Sequence, residues 1–493
     1  MKKFMLLLAV LCWQRVFAQE FQAFLATVNS AATDSAKTAI IDGFMVHARQ
    51  AGIPFIENGT ANFIYRGNAT GVALELGFNY MTVNMQRLSN TDFFYYSQAF
   101  ENDARLEYTF TVVTGSDTAR LALDLENPRV AIWLGYLTSE LAMPGYEMPV
   151  ETLFDPAIPH GAVMNHNLFS ASLNATYSIN VYLPPGYDEH PTESYPTAYA
   201  QDGQLALFGG YTNVMDNLIA QGKIQKGLLV FIPSFDSTRT ATYAGDRRFD
   251  YEDFVVNTVV PFVDSNYRTE KNPQGRLIGG ASFGANVSAL IAYRNSDLFG
   301  KCLMFSPAMF PNGGEVFNLY ANGEKKDIQI YVDWGTYEPF VSMLAIPFRD
   351  VLQAKGYDYA WNEWHEGHSG GSFLAHLDNA VEFLIPANPT GVQDEQGHDL
   401  AKNFDLFQNY PNPFNPSTAI RFALPEASEI VVKIFNLTGG EVRTLARGQY
   451  QAGMHNVNWD GRDNNGRAVA SGVYLYQVQA GSFKQMRKMS LLR

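Results

Sequence analysis

Residues 276–293 join three signals in one stretch. An apolar run, Arg276-Leu277-Ile278, leads into Gly280-Ala281-Ser282-Phe283-Gly284, and Val287-Ser288-Ala289-Leu290-Ile291-Ala292-Tyr293 follows with helical character. A strand that ends on a Gly-x-Ser-x-Gly turn and passes at once into a helix constrains the fold more than any other feature of the chain. The turn is sharp, and its glycines answer close backbone packing that leaves no room for a Cβ. The Ser282 hydroxyl would then stand above the end of a sheet, where a nucleophile belongs.

The same template fits a second time, at Gly367-His368-Ser369-Gly370-Gly371. The pattern around it gives no strand ending directly on the turn, no clear helix right after it, and no acid and histidine in order downstream. Context therefore selects Ser282.

The chain has 493 residues, more than one domain. Residues 19–155 open with helical spacing (Phe21, Phe24, Leu25, Val28, then Ile40, Ile41, Phe44, Met45) and change to period two at 61–66, 72–76 and 105–112. A helix followed by a β-sandwich is expected there. A domain boundary is placed near 155. Across 156–388, the segments 178–183, 195–200, 227–232, 276–279, 301–305 and 328–332 read as strands, several almost continuously apolar, alternating with helical stretches. That pattern predicts an α/β domain with a mainly parallel sheet. Residues 389–402 are polar, with Pro389, Gly391 and Gly397, and read as a linker; 403–493 read as a small all-β module.

Lys2-Lys3, the apolar run Phe4 to Leu11 and Val16-Phe17-Ala18 give residues 1–18 the form of a secretory signal peptide. Its removal leaves 32 of the 35 basic residues against 49 acidic ones, with no basic cluster to follow a phosphate backbone. Nucleic acid is not an expected partner. Cys12 would leave with the leader, and Cys302, alone in an apolar run, reads as a buried small hydrophobe.

A serine hydroxyl needs a general base, and the base an orienting acid, in the chain order serine, acid, histidine. Of the histidines after Ser282, His398 and His455 fall outside the α/β domain. His368 sits on a turn beyond the aromatic-rich strand 359–364 and is assigned the base by that placement. His365 reads as a structural neighbour, and His376 falls in a helix-like stretch where packing is the default. Two acids fit by position: Asp333, where a strand ends, and Glu338, in the loop beyond. The oxyanion donors are expected from the Phe283 backbone N–H and from the loop Gln201-Asp202-Gly203-Gln204, with Gly203 or Gln204 presenting an amide. No cofactor or metal ion is called for. Trp334, Tyr337, Trp361 and Trp364 lie near the site loops and are candidates to line an aryl pocket.

With these residues in place, 55–388 resembles the esterase D and enterochelin-esterase-like group of α/β-hydrolases. The resemblance rests on Val181-Tyr182-Leu183-Pro184-Pro185-Gly186-Tyr187-Asp188, on Tyr195 to Tyr199 with Asp202-Gly203-Gln204, on Val260-Pro261-Phe262-Val263-Asp264 with Tyr267-Arg268-Thr269, and on the loops at 333–339 and 367–368. It implies an α/β-hydrolase fold and places the acid on Glu338, where many relatives have aspartate. The front domain is similar to the E-set-like β-sandwich that precedes such hydrolases, in Phe63 to Gly67 and Leu121 to Asn127, with a packing or pocket-shaping role. The C-terminal module resembles the Ig-like sorting domain of type IX secretion substrates, in Asn409 to Pro416, Ala470 to Tyr474 and Lys488 to Arg493.

The resemblance implies a secreted serine carboxylic ester hydrolase working through an acyl-enzyme on a small-molecule or polysaccharide-linked ester, siderophore and feruloyl or acetyl esters included. Its partners would include the type IX machinery, with possible attachment at the outer cell surface. An acyltransferase on the same residues and a catalytically inactive surface glycan-binding protein are the competing readings.

Overall fold

The computed structural model describes residues 20–387 except 78, 79, 122, 134, 135 and 236, and residues 404–491 except 407, 408, 410–413, 415, 416, 438, 452 and 482. The segment read as a signal peptide, the linker at 389–402 and most of the motif from Tyr410 to Pro416 lie outside the described residues. The described residues divide into two compact units, one running to 359 with 363–385, the other comprising 360–362 and the residues from 386 onward.

The first unit opens with two helices, Glu20–Ser30 and Asp34–Ala51, and two antiparallel sheets. One sheet is built around Thr60–Arg66 and Phe93–Ala99, the other around Gly71–Leu76, Arg105–Thr114 and Tyr136–Ala142. Period two explains the layering. Along Thr60–Arg66, Ala61 and Phe63 enter a core shared with Leu74, Leu106 and Phe110 of the other sheet. Ile64 faces the opposite way and packs with Phe21, Phe24 and Phe44 of the helices.

We number the strands of the central eight-stranded sheet in chain order: β1 (Ala162–Ser170), β2 (Ala175–Leu183), β3 (Thr197–Ala200), β4 (Leu228–Phe231), β5 (Arg276–Ala281), β6 (Lys301–Phe305), β7 (Gln329–Gly335) and β8 (Asp358–Trp364). Their spatial order is 1-2-4-3-5-6-7-8. The expectation of a mainly parallel sheet needs correction, because the sheet is mixed. Strands β4, β3, β5, β6 and β7 pair in parallel, whereas β1 and β2 form a hairpin and β2 runs antiparallel to β4. The sequence reading passed over β1, whose residues from Ala162 to Phe169 are almost all exposed and show no apolar alternation. The parallel strands end together, so the segments after β3, β5, β7 and β8 converge on one end of the sheet, where ligands bind in open α/β sheets.

The second unit pairs a three-stranded with a four-stranded antiparallel sheet around Ile430, Trp459, Tyr476 and Leu491.

Candidate active site

Strand β5 runs into helix Phe283–Arg294 with Ser282 between them at φ 58° and ψ −120°. A non-glycine residue in this region is strained, and the surroundings hold it there. The Ser282 N–H donates to Phe305 O at 2.9 Å, and Ser282 O accepts from Asn286 N at 3.1 Å and Ala308 N at 3.2 Å. Gly280 is needed for close approach: a Cβ there would lie 2.9 Å from both the Gln201 Cβ and the Gly284 carbonyl carbon.

The second Gly-x-Ser-x-Gly match does have a helix after it, Gly370–Ala375, contrary to the sequence reading. What sets Ser369 apart is its burial: it is 0 % exposed, and its Oγ accepts from Ser372 N at 3.1 Å and from Arg105 Nη1 at 3.2 Å.

His368 and Glu338 face each other with His368 Nδ1 2.7 Å from Glu338 Oε2. A carboxylate can only accept, so the proton between them belongs to Nδ1; in a neutral imidazole Nε2 is then the acceptor. Glu338 is buried, and its other oxygen accepts from Ser306 Oγ at 2.7 Å and Gly335 N at 3.0 Å. The His368 ring stands edge-on to Phe373, with centroids 5.3 Å apart.

Asp333, the other candidate acid, is turned elsewhere. Its Oδ2 accepts from Trp364 Nε1 at 3.1 Å and from Tyr331 Oη at 3.4 Å, and burial raises its pKa to about 7. His376 is buried as well, with Nε2 2.8 Å from Glu366 Oε1 and its ring stacked at 3.9 Å on Trp364. Burial works against its protonation, but the Glu366 carboxylate outweighs burial and raises its pKa. His365 is half-buried and pairs with Asp103 at 2.7 Å.

The loop after β3 separates the two candidate donors, Gly203 and Gln204. Gly203 N donates to Ile232 O at 2.8 Å, so its amide is already used. Glycine is required there for another reason: a Cβ would lie 2.4 Å from Ile232 N and the Phe231 carbonyl carbon. Gln201 N is bonded to Gly279 O and Asp202 N to the Tyr243 hydroxyl. Of the four residues 201–204, Gln204 alone has a backbone N–H with no acceptor among the described residues. Its side chain is held by Ser234, through Oε1 from Ser234 N and through Nε2 to Ser234 O and Oγ. The Phe283 N–H, in the first turn of its helix, has no backbone acceptor either.

Sequence reasoning missed the side chains that fix this loop. Asp202 has a positive φ of 51° and accepts both forks of Arg239 at 2.7 Å and Ser234 Oγ at 2.6 Å. Arg239 comes from a polar segment with no local motif, so only the fold reveals the pair.

Ser282, Phe283, Glu338 and His368 line one cavity of about 580 Å³. Its walls are largely apolar, with Phe208, Phe310, Phe340 and Phe373. The four aromatic residues expected to line an aryl pocket are not among them; Trp334 is 1 % exposed, and Tyr337 belongs to the core between the two N-terminal sheets. His368 also borders a second cavity of about 440 Å³, with Glu75, Tyr80, Glu107 and Arg120 of the N-terminal sheets around it.

A central sheet of this order, with a sharp strand–serine–helix turn and a histidine–carboxylate pair at its end, has the architecture of the α/β-hydrolase fold. Residues 170–365 match the family model described as "Putative esterase", and residues 414–483 match the FlgD Ig-like domain. The protein YjcH of Bacillus subtilis (strain 168), itself uncharacterized, is 30% identical over 183 residues, covering 36% of this chain and 75% of that protein. The chain belongs to this esterase family. The endo-1,4-beta-xylanase/feruloyl esterase of Xylanibacter ruminicola is 30% identical over 155 residues, 29% of this chain but only 21% of that longer protein. In fold, the chain is similar to the ferric enterobactin esterase of Salmonella typhimurium, with a TM-score of 0.58 and 18% identity over 67% of this chain and 94% of the other.

Proposed function

We propose that the protein is a serine carboxylic ester hydrolase in which Ser282 is the nucleophile, His368 the general base and Glu338 the residue that orients it. The observation that carries this reading is the Glu338–His368 pair, bordering the same cavity as a serine on a strained elbow. His368 Nε2 takes the Ser282 proton as Oγ attacks the ester carbonyl. The oxyanion forms against the amides of Phe283 and Gln204, neither of which has a backbone acceptor among the described residues. His368 then protonates the departing alkoxide, and water, deprotonated by the same histidine, releases the acid from the acyl-enzyme.

The substrate reading follows from the two cavities. The apolar chamber suits an aryl or alkyl acyl group. The leaving alcohol must lie near the histidine that protonates it, and the polar cavity bordered by His368 suits a hydroxylated one. Feruloyl or acetyl esters on carbohydrate, or siderophore esters, fit that division, and the name of the Xylanibacter relative points to the first. The test is a panel of p-nitrophenyl acetate, methyl ferulate, feruloylated xylo-oligosaccharide and a catecholate ester, run beside Ser282→Ala. Hydrolysis of at least one ester, lost in the variant, is expected. No hydrolysis of any, or hydrolysis that survives Ser282→Ala, contradicts the proposal.

The same proposal puts the enzyme outside the cell, with the C-terminal module as a sorting domain. Support comes from its resemblance to such domains and from the Ig-like match. Export of a reporter fused to residues 403–493 in a type IX host is expected, and a reporter retained in the periplasm contradicts it.

A further inference from the structure

Arg105 lies far from the catalytic loops in sequence, on the strand Arg105–Thr114 of the N-terminal sheets, yet its side chain is 1 % exposed and lies against the loop that carries His368. Its guanidinium meets Glu140 at 2.7 Å and Glu107 at 2.9 Å, both from its own sheet. From the histidine loop it meets Ser369 Oγ at 3.2 Å and Glu366 at 3.6 Å. Burial disfavours the charge, but the carboxylates outweigh it, so the group remains a cation.

These contacts bracket His368. Before it, Arg105 N donates to His365 O at 2.9 Å, and Arg105 bridges Glu366 in parallel register. After it, the guanidinium holds Ser369, whose Oγ also caps helix Gly370–Ala375. The start of that helix packs onto the cation so closely that a Cβ on Gly371 would lie 2.2 Å from Arg105 Nη2. The loop of the acid is fastened to the same edge. The Tyr337 hydroxyl donates to Glu101, and its ring packs on Tyr80 and Phe100 at 5.0 and 5.6 Å. Glu338 follows directly in sequence.

We infer that Arg105 is a positioning residue for ester hydrolysis: through it, the N-terminal sheets hold the His368 loop in register with Ser282 and Glu338. The guanidinium presents five donors in a fixed planar fork that reaches Glu366 and Ser369 together with Glu107 and Glu140, whereas an ammonium is a compact point charge with three donors on a flexible stem. Small displacements of a catalytic group cost rate out of proportion to stability. The inference rests on the proposed serine esterase reading.

The test uses the full chain with p-nitrophenyl acetate, after Ser282→Ala has shown that wild-type turnover depends on that serine. Turnover indifferent to Ser282→Ala would overturn the esterase reading and this inference with it. Arg105→Lys keeps a cation among the carboxylates and removes the fork. The expected result is a fall in kcat of about tenfold to a hundredfold, with KM changed by less than about threefold, in a protein still folded at the assay temperature. If Arg105→Lys does not fold, Ser369→Ala removes one oxygen from the same contact and should lower kcat with KM unchanged. A folded variant whose kcat stays within about twofold of wild type overturns the inference. So does a rise in KM at constant kcat, which would make Arg105 a substrate contact.

Discussion

Glu338 and His368 meet at 2.7 Å through Oε2 and Nδ1, while the second carboxylate oxygen is occupied by Ser306 Oγ and Gly335 N. The carboxylate thus has one orientation, and it fixes both the tilt and the tautomer of the imidazole. Glu338→Gln keeps the shape but can present an N–H to Nδ1, which would drive the ring to the wrong tautomer. We expect kcat to fall by roughly 10³ to 10⁴ with the fold intact. Asp333→Asn should leave kcat within about a few-fold of wild type, because Asp333 bonds Trp364 and Tyr331 instead. Steady-state kinetics on the two variants separate the assignments; the reverse pattern would transfer the role to Asp333.

Asp333 carries a separate prediction on stability. Its folded pKa, pushed up to about 7 by burial, lies above the ordinary aspartate value of about 3.9. A raised carboxyl binds its proton more tightly when folded. Its stabilising contribution is therefore complete below about pH 4 and is lost as pH rises through about 7. Asp333→Asn removes the charged form and keeps an acceptor for Trp364. Its unfolding free energy should exceed that of wild type at pH 8 by on the order of 2 kcal/mol, seen as a higher thermal midpoint, and the gain should shrink toward pH 5. Melting curves at the two pH values check this; an equal difference at both would refute it.

The apolar chamber has a row of rings from the elbow to its mouth: Phe283 to Phe310 at 5.7 Å, and Phe310 to Phe340 at 5.2 Å. Phe340 is half exposed, so a bound aryl group would cover it. Phe340→Ala should raise KM for an aryl acyl ester by about tenfold, the effect of losing one aromatic contact, and leave p-nitrophenyl acetate nearly unchanged. Equal loss on both substrates would show a general disturbance of the site instead.

What the sequence revealed follows from how local each signal is. The buried parallel strands announce themselves as continuous apolar runs, and the elbow is legible because strand, turn and helix occupy adjacent residues at 276–294. Strand β1 escaped because an exposed edge strand carries no alternation. Gly203 and Gln204 are not told apart in the sequence because a glycine announces tight backbone but not which acceptor its N–H meets, here Ile232 O. The cavity wall is not legible for a related reason: Phe208, Phe310 and Phe340 come from three separate segments, whereas Trp334 and Trp364, beside the site in sequence, point into packing. Arg105 and Ser369, 264 positions apart, leave no trace in any local pattern.

The most direct test of the central claim is intact-mass and peptide mapping after exposure to a fluorophosphonate. A single adduct on the peptide bearing Ser282, absent from Ser282→Ala and much slower to form in His368→Ala, is the predicted result. No adduct, or one on Ser369 or any other residue with Ser282 unmodified, would contradict the account.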